Sequence, residues 1–141
     1  MVQFIIFLHV LGAAGMGFYL VLPFLVGRAS KLDGGGQAGL AAGLGAANRI
    51  AQYFLVLQFL TGGYLISQGE YAVVWMILVI VLFLAIAAIG GIVSKPLKLI
   101  ASEIQAGRSA SSHIAKVRAL SVVMLIIYVV ILYFMVFPIA K

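Results

Sequence analysis

Four long apolar runs, each about as long as a lipid bilayer is thick, decide what this chain can fold into. A helix rises 1.5 Å per residue, so about 20 apolar residues cross a hydrocarbon core of roughly 30 Å. The runs predict spans at about residues 4–26, 48–67, 72–94 and 118–139, within a single domain covering residues 1–141. The second run is the most polar, and the Ala-rich stretch 37–47 before it reads as an earlier start to the same helix. Transmembrane barrels are built from alternating segments of about ten residues, a pattern these runs lack. The expected fold class is therefore all-α, an integral membrane four-helix bundle.

Composition agrees. Apolar residues make up 65% of the chain and charged residues 9%, too few polar groups to cover a small water-soluble fold. The absence of cysteine excludes disulfides, thiolate metal sites and thiol catalysis. The net charge of +6 does not point to nucleic acid, because the positive residues flank the apolar runs. Arg28, Lys31 and Arg49 border the first connection, and Lys95, Lys98, Arg108, Lys116 and Arg118 border the third. The second connection carries Glu70 and no positive charge, and the termini only Lys141. Eight of nine positive side chains thus fall on one side. The positive-inside rule then places both termini outside and the two longer connections in the cytoplasm.

Between the first two spans, Asp33 and Gly34, Gly35 and Gly36 read as a hinge, since they lack the spacing of a phosphate-binding loop. Pro96 reads as the exit from the third span. After it, Leu97, Ile100, Ala101 and Ile104 recur at helical spacing opposite Lys98, Ser102, Glu103 and Gln105. That pattern predicts a short cytoplasmic amphipathic helix, lying in the interface or extending the third span. Tyr64, Tyr71 and Trp75 would form an aromatic belt at the other boundary. His113, among Lys116 and Arg118, reads as a solvated surface residue.

The polar side chains inside the spans are the candidate functional residues. His9 is the one acidic, basic or His side chain well within an apolar run, which makes it a functional candidate. It shares a stripe with Gly12, Met16, Tyr19 and Pro23, and Gly12, Gly15 and Gly17 thin the helix enough for close approach. Asn48, Arg49, Gln52, Gln58 and Thr61 supply a polar interior between the first two spans, with Gln58 and Thr61 the candidate partners of His9. No embedded carboxylate or hydrolase constellation is readable, so the expected role is non-enzymatic: binding or transport of a small ligand or ion, or subunit assembly. The alternative is a haem- or copper-binding module using His9, with Met16 as a further soft donor, completed across a homodimer.

Residues 7–12, Phe-Leu-His-Val-Leu-Gly, resemble the first span of the membrane domain of copper-resistance D proteins. They look closer still to a family of short, uncharacterised four-span bacterial proteins related to that domain. Arg49 before a span ending Leu60, Thr61 and Gly62, the Pro96 exit, and residues 133–136 carry the same resemblance. The chain departs from it at Gly15, Met16 and Gly17, where related families often carry a Trp-Val-Gly-like segment. The resemblance implies a bacterial inner-membrane protein, with copper handling as a candidate activity. Lipid, further copies of the chain and other membrane subunits are the expected partners.

Overall fold

The computed structural model describes residues 1–139 and contains five helices. They are α1 (Val2–Gly15), α2 (Phe18–Ala29), α3 (Gly34–Gln68), α4 (Val73–Gln105) and α5 (Ser111–Val136). Taken together, α1 and α2 form one span, so the chain has four helices long and apolar enough to cross a membrane. Consecutive spans are antiparallel and close into a ring. α3 packs on α4, α4 on α5, and α5 on α2, while α3 also receives both α1 and α2. The start of α1 and the end of α5 share one end of the bundle with the α3–α4 link, where the Ala72 N–H donates to the Ile139 carbonyl at 2.9 Å. Lys141 lies outside the described residues.

The first run is one apolar stretch but two helices. In an unbroken helix the Gly17 N–H would bond to the Ala13 carbonyl. Instead it reaches Ala14 at 3.0 Å, and the Tyr19 and Leu20 N–H groups bond three residues back, to Met16 and Gly17. This tightened turn suits glycine, because a Cβ on Gly17 would sit 2.9 Å from the Ala14 carbonyl oxygen. The Ala13 carbonyl left over accepts the Tyr128 hydroxyl of α5. The tightening thus creates an orphan acceptor, and a neighbouring helix satisfies it.

Two expectations need correction. Gly34, Gly35 and Gly36 are not a hinge: they form the first turn of α3, which Gly34 enters with a φ of +52°. Nor is Pro96 the exit from the third span: α4 runs through it to Gln105, so among the described residues the segment after it is no separate helix but an extension of that span, one of the two placements expected for it. A proline in a helix interior costs about 3 kcal/mol. Here Pro96, Leu97 and Ile100 are all buried, so packing holds the helix together across it. The true stop is Gly107, at φ +77°: the Arg108 N–H bonds to the Glu103 carbonyl and the Gly107 N–H to Ile104. That pair of bonds is the Schellman arrangement, in which glycine takes the left-handed position. Arg108 reinforces it with two bonds to the Glu103 carboxylate, at 2.6 and 3.1 Å.

The core is uneven along the bundle axis. Tyr19, Leu22, Ile86, Val93, Val117 and Met124 are almost wholly inaccessible, whereas no residue of α1 before Gly12 is buried. The end of the bundle at the α3–α4 link is tied by aromatics instead. Trp75 stacks on Tyr71 with centroids 4.6 Å apart and donates its indole N–H to the Phe134 carbonyl near the end of α5.

Candidate functional site

Where α1 meets α3, glycine notches on one helix receive side chains from the other. A Cβ on Gly15 would fall 2.3 Å from the Phe54 ring, one on Gly12 would meet the Gln58 amide, and one on Gly62 would come within 3.2 Å of the His9 imidazole. Such close approach lets helices associate in lipid, where apolar surface alone gives no drive to pair.

His9 lies in the Gly62 notch, half-buried, with its Nδ1 2.9 Å from Thr61 Oγ1. The Thr61 hydroxyl donates to the Leu57 carbonyl at 2.8 Å, so its lone pair is what faces the imidazole. Nδ1–H is then the donor, and in the neutral imidazole that fits this bond the lone pair lies on Nε2. Nε2 has no hydrogen-bond partner among the described residues and is not enclosed by the fold. One turn away, Gln58 Oε1 is buried without a donor, the one such side-chain atom among the described residues.

A second polar layer lies deeper in the bundle. Asn48 is buried and accepts the Tyr19 hydroxyl on Oδ1 at 3.1 Å. Its Nδ2 donates to the Gly90 carbonyl and to Ser94 Oγ, both at 3.0 Å. Three spans are thereby joined at one amide. Gly90 is required for this approach, since a Cβ there would come within 2.9 Å of the Tyr19 hydroxyl oxygen.

The candidate residues therefore do not form one polar chamber. Gln58 and Thr61 face α1, Asn48 faces the bundle centre, and Gln52 lies beside Gly90 and Gly91 of α4. Arg49 is exposed on the outer surface. Met16 is buried in the core at the α1–α2 break, seven residues and about 10 Å along the helix axis from His9. Among the described residues, no group of three His, Cys, Asp or Glu side chains is arranged to hold a metal. Tyr19 and Ser94 complete the Asn48 layer, a pairing that residue spacing alone does not specify. Their signal was the helical register: Tyr19 on the inward stripe, and Ser94 one turn beyond Gly90. No family model, curated protein or solved structure matches the chain.

Proposed function

We propose that this is a non-enzymatic integral membrane protein of the bacterial inner membrane, with both termini outside, that pairs through α1 with a second chain and offers His9 as a ligand to haem iron or copper at the shared face. The observation that carries this reading is the His9–Thr61 hydrogen bond. Metal-ligating histidines characteristically donate one ring N–H to a fixed acceptor, which sets the tautomer and frees the other nitrogen. His9 has that arrangement: Nδ1–H held by a threonine that is itself anchored, and an unpaired, accessible Nε2.

One chain supplies one imidazole, whereas bis-histidine ligation needs two, and a twofold dimer provides the second without any new residue. The surroundings suit such a mate. Phe4, Phe7 and Val10 flank His9 as exposed apolar side chains on a segment that buries little within its own bundle. When bound, haem or copper would supply one-electron chemistry; the chain's own part is to hold the imidazole neutral and oriented. The resemblance of residues 7–12 to the copper-resistance D membrane domain points the same way. The distribution of positive residues supports the orientation, and the amphipathic end of α4 would then project on the cytoplasmic side.

The test is purification from membranes followed by absorption spectroscopy and metal analysis. The expected result is a Soret band, or copper near one equivalent per two chains, that disappears in His9→Ala. Thr61→Val, which keeps the side-chain shape but removes the acceptor, should weaken binding about 10- to 100-fold. A wild-type protein with neither haem nor copper, and with no affinity for either on addition, would overturn the proposal.

A further inference from the structure

At the opposite end of the bundle from His9, α4 and α5 enclose a surface groove of about 530 Å³, lined by Gly91, Ile92, Lys95, Pro96, Leu99, His113 and Lys116. One part is apolar and the other cationic. Neither lysine has an ion-pair partner among the described residues. The three acidic residues of the chain, Asp33, Glu70 and Glu103, do not line it, and Glu103 is engaged by Arg108. Pro96 has no N–H to give the Ile92 carbonyl, so one wall of the groove also carries a backbone acceptor lacking its usual helical partner.

The level of the groove identifies its occupant. Lys95 is 20 residues from Trp75 along α4, and Lys116 is 20 residues from Val136 along α5, each about 30 Å by helical rise. That is the thickness of the hydrocarbon core, so both ammonium groups stand level with the phosphates of one leaflet when the aromatic end stands at the other.

We propose that this groove binds an anionic glycerophospholipid, its phosphodiester between Lys95 and Lys116, its hydroxyl-bearing headgroup beside His113 and the Ile92 carbonyl, and an acyl chain running along Gly91 and Ile92. Charge complementarity selects an anion, and the adjoining apolar wall selects one that carries a hydrocarbon tail. Basic pockets between transmembrane helices on the cytoplasmic side are suited to such headgroups. This site is independent of His9 and of any cofactor there.

Native mass spectrometry of the purified protein in mixed micelles tests the assignment, with phosphatidylglycerol or phosphatidylcholine added and soluble glycerol 3-phosphate as the tail-free arm. Phosphatidylglycerol should be retained at least tenfold more strongly than phosphatidylcholine, and glycerol 3-phosphate should not compete at equal concentration. The double substitution Lys95→Gln with Lys116→Gln should abolish the preference, whereas Lys31→Gln, an exposed positive residue outside the groove, should leave it intact. Ile92→Trp, which fills the apolar part and keeps both charges, should also displace the lipid, so the test does not depend on the double variant folding. Equal retention of the two lipids, full competition by glycerol 3-phosphate, or undiminished binding in both the double variant and Ile92→Trp would each overturn it.

Discussion

At the scale of single residues, the buried amides carry different burdens although the sequence presents them alike. Asn48 has acceptor and donor both engaged, to Tyr19, Gly90 and Ser94. Gln58 Oε1 is buried with no donor. Removing one partner from a buried polar group costs about 1–3 kcal/mol, whereas replacing an unsatisfied group by an apolar one is close to neutral. Asn48→Ala should therefore lower stability by about 1–3 kcal/mol in a denaturant titration in detergent. Gln58→Met should leave it unchanged or raise it slightly; a loss as large as that of Asn48→Ala would show that Gln58 has a partner the fold does not supply. The pairing of His9 with Thr61 was legible from register, because a lone imidazole on an inward stripe needs a partner and Thr61 was one of the few on offer. The Asn48 layer was less legible. Ser94 closes an apolar run and reads as its polar edge, and which carbonyl an amide will reach is not encoded in spacing.

At the scale of helices, glycine sets the geometry in two distinct ways. Gly12, Gly15 and Gly62 are absences of side chain that a neighbouring helix fills, while Gly107 is a conformation that other residues resist. Gly15→Ala drives a Cβ into the Phe54 ring and should cost about 1–3 kcal/mol as overpacking, read as a lowered melting temperature. Gly107→Ala meets no neighbouring atom, so its cost should be only that of the left-handed backbone, about 1–2 kcal/mol. The existence of the long helices followed from apolar length, but their breaks did not. The helix tightens into three-residue hydrogen bonds at Met16 and Gly17 within a purely apolar run, yet continues unbroken through Pro96. Both outcomes depend on what lies alongside: Tyr128 to accommodate a freed carbonyl, and a buried face on either side of the proline.

At the scale of the whole molecule, a bundle with His9 at one end and a cationic groove at the other has a defined direction only if the charge asymmetry orients it. The absence of cysteine makes this easy to check by labelling. Ser67→Cys, in the last turn of α3, should react with a membrane-impermeant maleimide in intact cells once the outer barrier is opened. Ser109→Cys, between α4 and α5, should react only after the inner membrane is permeabilised, and the opposite pattern would reverse the orientation. Assembly was the least legible level. A single chain shows an under-packed α1 face and an imidazole with one free nitrogen, but the second chain that would complete them is encoded only as that incompleteness. The most direct measurement is therefore co-expression of tagged wild-type and His9→Ala chains in equal amounts, reading haem or copper per chain in the mixed population. If two His9 side chains share one ligand across a twofold, only wild-type pairs bind, and occupancy falls to about a quarter of the pure wild-type value. An occupancy of about half would mean that each chain binds alone and would contradict the shared site.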